Sequence, residues 1–260
     1  MKNVLKEKIK AGQKVLGTFH ELGSATAIEV LGYSGLDFVI IDTEHGPLGA
    51  ERVQELIRAA NGTNAVPLVR TKDSERNSIL RMLDVGAMGL VIPNVKSVEE
   101  VKRIVEYGKY FPMGNRGIAP TSGSKFWTAD YAAQGLDHFF SVSNSETLLL
   151  PQCETRECLQ NIEEIVGIDG IDGIFVGPYD LSTSLGKPGQ FNDPEVVHAI
   201  ERIVAACKAA CKLAFIYTGN LSEVAKRYGQ GYDAVCYGMD AMLLKNALTE
   251  IVAAVKSGQE

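Results

Sequence analysis

Residues 37–47 read Asp-Phe-Val-Ile-Ile-Asp-Thr-Glu-His-Gly-Pro. The apolar run, mostly β-branched, predicts a strand over Asp37–Asp42 that is buried on both faces. A strand with one wet face would alternate instead. The run stops at an aspartate, a glutamate and a histidine, and Gly46-Pro47 then turns the chain. Helical spacing follows at once: Val53, Leu56, Ile57 and Ala60 share one face of a helix over Ala50–Ala60. A buried strand, a polar turn and an amphipathic helix make up the unit of a parallel α/β fold.

Working outward, the same unit recurs along the chain. The other predicted strands are Val15–Phe19, Val66–Arg70, Met88–Ile92, Thr147–Gln152, Ile171–Val176, Lys212–Ile216 and Asp233–Tyr237. Further helices are expected over Asn77–Gly86, after Ser97, from Asp193-Pro194 to Cys211, and over Leu221–Tyr228 and Met242–Val255. Ser97 with Glu100 three residues on has the form of a capping box, and Asp193-Pro194 that of a cap followed by proline in the first turn. Eight βα units point to a closed (β/α)8 TIM barrel, although an open doubly wound sheet satisfies the pattern alone. The chain has 260 residues, close to the roughly 250 a single barrel uses. Residues 1–260 are therefore read as one domain. One connection, Ser97–Glu146, is unusually long and carries FPMGNRGIAPTSGSKFW. Long loops of this kind are often lids or binding loops.

The composition narrows the function. Hydrophobic residues at 45% supply a sizeable core, and charged residues at 22% suit a soluble globular protein. A net charge of -6 without a basic patch argues against nucleic acid as partner. No apolar run is long enough for a bilayer, and the charged N-terminus does not read as a signal peptide. The five cysteines, Cys153, Cys158, Cys207, Cys211 and Cys236, form no Cys-x-x-Cys pair. The expectation is a reduced, cytoplasmic setting with cysteines mostly filling core space.

In such a barrel the chemistry collects at the C-terminal ends of the strands. The second strand ends in Asp42-Thr43-Glu44-His45, the third in Arg70, the fifth in Gln152-Cys153-Glu154-Thr155, and the sixth in Gly177-Pro178-Tyr179-Asp180. Glu154 and Asp180 are hard oxygen donors suited to a divalent cation. Glu154 could equally cap the helix that follows it, whereas the Gly-Pro-x-Asp-Leu-Ser setting of Asp180 favours a functional role over a cap. The glycine and proline before Asp180 make a tight turn whose amides could face an anion. His45, between acids, suits a general base or a ligand. Arg70 suits a carboxylate or a developing oxyanion, or a plain ion pair. His20 ends the first strand without a partner pattern, and Asp84 is unremarkable by composition.

The blocks IDTEHGP, VPLVR, PQCET and GPYDLSTSLG, in this order, resemble the HpcH/HpaI aldolase family. Its members are class II pyruvate aldolases such as 4-hydroxy-2-oxoheptanedioate aldolase and 2-dehydro-3-deoxyglucarate aldolase. The resemblance spans nearly the whole chain, and the histidine block combined with GPxDLS is its specific part. It implies a divalent-metal-dependent carbon–carbon lyase that cleaves or forms 4-hydroxy-2-oxo acids through a metal-bound pyruvate enolate. The ion would be Mg2+ or Mn2+, with Co2+ or Zn2+ also compatible. Glu154 and Asp180 match the metal ligands, and Asp42 a residue near the metal and its waters. Arg70 matches the arginine on the pyruvyl keto oxygen. His45 matches the base, and Asp84 the acid that pairs with it. Gln152, Gly177, Pro178 and Tyr179 fall on the substrate. The partners implied are pyruvate and an aldehyde, and the assembly a homohexamer with the last helix, about residues 242–255, exchanged between subunits. Tyr179 stands where several members carry a small residue. The loop after Arg116-Gly117 lacks their arginine-rich continuation, which leaves the aldehyde open. Two other readings stay beside this one: a lyase of the same superfamily acting on a CoA thioester or a different 2-oxo acid, and a non-catalytic barrel. The absence of lysine from the blocks weighs against a Schiff-base aldolase, Lys72 being the nearest one.

Overall fold

The computed structural model describes residues 1–257. Eight parallel strands close into a barrel in sequence order. They are β1 Val15–His20, β2 Phe38–Asp42, β3 Val66–Arg70, β4 Gly89–Ile92, β5 Leu148–Cys153, β6 Gly173–Val176, β7 Leu213–Thr218 and β8 Ala234–Met239. The helices before β5 are α1 Val4–Lys10, α2 Ala25–Tyr33, α3 Ala50–Asn61, α4 Arg76–Asp84, α5 Val98–Gly108, α6 Asp130–Ala133 and α7 Leu136–Glu146. After it come α8 Arg156–Gln160, α9 Ile162–Val166, α10 Pro178–Ser184, α11 Pro194–Ala209, α12 Leu221–Gly229 and α13 Asp240–Ser257. Closure of the barrel decides between the two architectures that the pattern allowed.

The apolar runs have two destinations. Phe38 and Ile40 of β2 join Val66, Leu68, Leu148, Leu150, Phe175 and Phe215 in the barrel interior. Val39 and Ile41 join the layer between sheet and helices. Alternation of side chains along a strand forces this division. Both faces are dry, which is why the runs are continuous. The floor of the barrel is closed by α1, whose Leu5 is fully buried in the interior cluster. Asn3 caps that helix and anchors it, its Nδ2 donating to the carbonyls of Met88 (3.1 Å) and Glu146 (2.8 Å).

Several expectations shift. The strands β1, β7 and β8 run one or two residues beyond their predicted ends, which brings His20, Tyr217 and Met239 into the sheet. Ser97 caps α5 through the amide of Glu100, but the Glu100 carboxylate accepts from Lys96 and Ser74, so the reciprocal half of the box is missing. Four cysteines are buried, whereas Cys211 is exposed just past α11. The long connection is no lid over its own barrel mouth. It packs against the C-terminal end of α4, where the amide of Gly123 donates to the Asp84 carbonyl at 2.8 Å, at the N-terminal end of the barrel. Among the described residues no helix is long and apolar enough to cross a membrane.

Candidate active site

The rows of inward-facing side chains continue past the core to the mouth. Above Phe19 comes Glu21; above Phe38 and Ile40 comes Asp42; above Val66 and Leu68 comes Arg70. Above Leu148 and Leu150 come Gln152 and Glu154; above Phe175 comes Gly177; above Phe215 comes Tyr217. The period of two thus collects the polar residues of separate strands on one floor.

Asp42 and Arg70 are directly paired across β2 and β3. Arg70 donates Nε to Asp42 Oδ1 at 2.8 Å and Nη2 to Oδ2 at 2.6 Å, a two-pronged contact that fixes the guanidinium plane. Nη1 lies 3.1 Å from Glu44 Oε2. The guanidinium also sits over the Phe19 ring, 4.6 Å from its centroid. Burial works against the charge of Arg70, but hydrogen bonding and charge from Asp42, with Glu44, outweigh it and hold the group above its ordinary value. Arg70 is therefore a fixed, permanent cation in the barrel mouth.

Glu154 is not a cap. The hydroxyl of Thr155 accepts from Cys158 at 3.1 Å and caps α8, which leaves Glu154 to face the interior. Its Oε1 accepts from the Asn94 amide at 2.6 Å and its Oε2 from Gln152 Nε2. Burial, and next the charges of Asp180 and Glu44, push its carboxyl up to about 7, against a lowering by the Asn94 bond. Gly177 explains why the space exists: a Cβ there would lie 2.7 Å from Gln152 Nε2 and 2.7 Å from Glu154 Oε2. Asp180 lies in the first turn of α10, exposed, and the N-cap is Gly177 without a side-chain cap. Neither acid is thus spent on a helix end.

These donors fit a hard divalent cation. Two carboxylates from neighbouring strand ends converge, one is raised chiefly by its burial, and Gln152 Oε1 is buried without a hydrogen bond. Among the described residues no group of three or more histidines, cysteines and carboxylates forms a ready cage. The remaining positions would fall to water and substrate, as is usual for Mg2+.

His45 is exposed at 64%, with Nε2 3.8 Å from Glu44 Oε2. Asp84 does not join it. Asp84 ends α4, at the N-terminal end of the barrel, and pairs with Arg116 at 2.9 Å. Pro178 is buried and Tyr179 is half exposed. Lys72 is exposed.

Sequence reasoning missed Glu21 and Asp240, and it left His20 without a partner. Glu21 sits against Asp42; burial, then that neighbour, raises its carboxyl. Extending the inward row of β1 by one step would have found it. His20 belongs to the outward row and is fully buried, its Nδ1 2.6 Å from Asp240 Oδ2 at the start of α13. Asp240 also accepts from the Glu21 amide at 2.9 Å, so it holds the end of β1. No local signal announces that pair, because its halves are 220 residues apart in the chain.

A model of the HpcH/HpaI aldolase/citrate lyase family matches residues 16–247. The chain belongs to that family. It is 33% identical to the 2-keto-3-deoxy-L-rhamnonate aldolase of Escherichia coli (strain K12), over 100% of this chain and 95% of the relative. It is 34% identical to a pyruvate aldolase of Rhizobium etli, over 96% of each chain. Among solved structures it superposes on the citrate synthase SbnG with a TM-score of 0.88 at 31% identity, covering 98% of this chain and 99% of that one. As an HpcH/HpaI-family protein it is an enzyme of the aldolase type, and the non-catalytic reading falls away.

Proposed function

We propose that this enzyme is a divalent-metal-dependent pyruvate aldolase that cleaves and forms 4-hydroxy-2-oxo acids. The observation that carries the reading is the buried Glu154, raised chiefly by that burial, beside Asp180 and facing the fixed cation Arg70 in one barrel mouth. Mg2+ or Mn2+ would be held by Glu154 and Asp180, with Asp42 and Gln152 ordering the surroundings; when bound, the ion supplies charge that stabilises an enolate. Arg70 binds the keto oxygen and holds the negative charge that develops there. The turn Gly177-Pro178-Tyr179 receives the substrate carboxylate. In cleavage His45 removes the proton of the 4-hydroxyl. The C3–C4 bond breaks, its electron pair passes to the enolate, and an aldehyde leaves. Protonation at C3 then gives pyruvate.

Residues 1–260 are read as one domain, and the active unit as a homo-oligomer, a hexamer by family resemblance. Two observations support this. Along α13, Met242, Leu244, Leu248, Ile251, Val252 and Val255 are all exposed. On α2, where a final barrel helix would normally pack, Val30 and Tyr33 are exposed at 63% and 74%. Apolar surface of this extent marks a contact, and exchange of α13 with a neighbour covers both faces. The pairing of Asp84 with His45 cannot form within one chain, so it is assigned to two copies.

The test is direct. Protein stripped of metal should lose retro-aldol activity on 4-hydroxy-2-oxo acids and regain it with Mg2+ or Mn2+, and Asp180→Asn should weaken metal binding by calorimetry. Activity that survives chelation but is abolished by borohydride with pyruvate would instead establish a Schiff base. A second reading, a lyase of the same superfamily acting on a CoA thioester or a different 2-oxo acid, is favoured by the likeness to the citrate synthase; turnover of a CoA thioester in place of the 4-hydroxy-2-oxo acid separates the two.

A further inference from the structure

Beside the turn that leads into Asp180 lies a partly open cavity of about 280 Å3, lined by Tyr179, Phe191 and Tyr217 together with Asn192, Asn220 and Glu223. Its rings belong to one continuous file. Arg70 stacks on Phe19 at 4.6 Å; Phe19 meets Tyr217 at 5.9 Å; Tyr217 meets Tyr179 at 5.9 Å; Tyr179 meets Phe191 at 4.7 Å. The file leads from the oxyanion cation to the cavity without a break. The last two contacts are edge-on, at 60° and 72°, the arrangement in which aromatic groups associate favourably. Both phenol oxygens approach Gly219, whose missing Cβ would stand 3.5 Å from Tyr179 Oη and 3.6 Å from Tyr217 Oη.

We infer that this cavity is the acceptor subsite and that it takes the ring of an uncharged aryl aldehyde, because aromatic side chains wall it and its charges are already paired. The size agrees, since an apolar cavity of roughly 150 Å3 already holds benzene. The charge agrees as well. Arg227, which also lines the cavity, is 2.9 Å from Glu223 and donates to Gln230 at 3.0 Å. A carboxylate-bearing aldehyde would have to displace Glu223 to reach it. The inference rests on the pyruvate aldolase reading. In the cleavage direction the C3–C4 bond of a 4-aryl-4-hydroxy-2-oxo acid breaks, its electron pair stays with the enolate, C3 is protonated, and the aryl aldehyde departs.

The test uses the metal-loaded full-length enzyme and two readouts. Exchange of the pyruvate methyl protons in deuterium oxide, followed by NMR, reports the pyruvate half without any aldehyde. Initial rates are then compared for 4-hydroxy-2-oxo-4-phenylbutanoate, 4-hydroxy-2-oxopentanoate and 4-hydroxy-2-oxoheptanedioate. The phenyl compound should have the highest kcat/KM, by roughly tenfold or more, a ratio that one hydrophobic pocket supplies. Phe191→Ala should lower that value by at least about tenfold, while the pentanoate rate and proton exchange stay near those of the parent. Preference for the heptanedioate, or an equal loss on all three substrates in Phe191→Ala, overturns the aryl subsite while leaving the aldolase intact. Absence of proton exchange sinks the aldolase reading and the subsite with it. Should Phe191→Ala fail to fold, the ranking of the three substrates by the parent enzyme decides alone.

Discussion

Glu154 shows how one side chain joins stability to function. Its carboxyl is 95% buried and titrates near 7 because burial and two like charges disfavour ionisation. The folded value lies above the unfolded one, so the neutral acid's contribution is intact below about 4.5 and lost as pH rises through 7. A rise of this size corresponds to roughly 3 kcal/mol. In chelator, Glu154→Gln should therefore melt roughly 5–10 °C above the parent at pH 8, and the two should converge near pH 4.5 by calorimetry. Adding Mn2+ should reverse the order at pH 8, because only the parent gains binding energy from the ion. Curves that stay parallel at every pH would mean that Glu154 carries no such penalty. The sequence made this residue visible as a strand-end carboxylate, but the choice between cap and ligand was not legible there. Thr155 takes the cap of α8, which removes that role from Glu154.

At the level of elements, the strands place the site. Continuous apolar runs were legible because both faces of each strand are dry, and all eight predicted strands end within two residues of their observed counterparts. The seventh run ended at Ile216 in the sequence reading, yet β7 continues through Tyr217 to Thr218. Tyr217 and Thr218 favour a strand by propensity, and pairing with Cys236 and Tyr237 of β8 is what extends β7 through them. The junction of β6 and α10 makes a second element-scale point. Gly177 is required by close approach, not by a left-handed backbone, because Gln152 and Glu154 fill the place of its Cβ. Gly177→Ala should therefore cost roughly a hundredfold in kcat/KM, the scale expected when catalytic groups are displaced by about 1 Å. Its circular dichroism melt should stay within a few degrees of the parent. An unchanged kcat/KM would show that Gln152 and Glu154 move aside freely.

On the scale of the whole molecule, the long connection and α13 both turn away from their own barrel mouth. Asp84 and Arg116 form their pair at the far end from His45. If two copies complete each site, His45→Ala and Asp84→Ala should each be nearly inactive, and mixing them after mild dissociation should restore activity, measured by coupled pyruvate release. Leu248→Asp with Ile251→Asp should give a smaller species by light scattering and lose this rescue. Failure of the mixture to recover, with both variants still assembled, would remove Asp84 from the site. By itself the sequence determined the βα alternation, the four polar strand ends and the family, since each of these is written in residues close together in the chain. Only the tertiary structure decided that Glu21 meets Asp42, that His20 is locked to Asp240, and that rings from α10, the loop after it and β7 line one cavity. Those contacts join residues far apart in sequence. They follow from barrel closure, which brings the first strand beside the last and sets every inward row around one mouth.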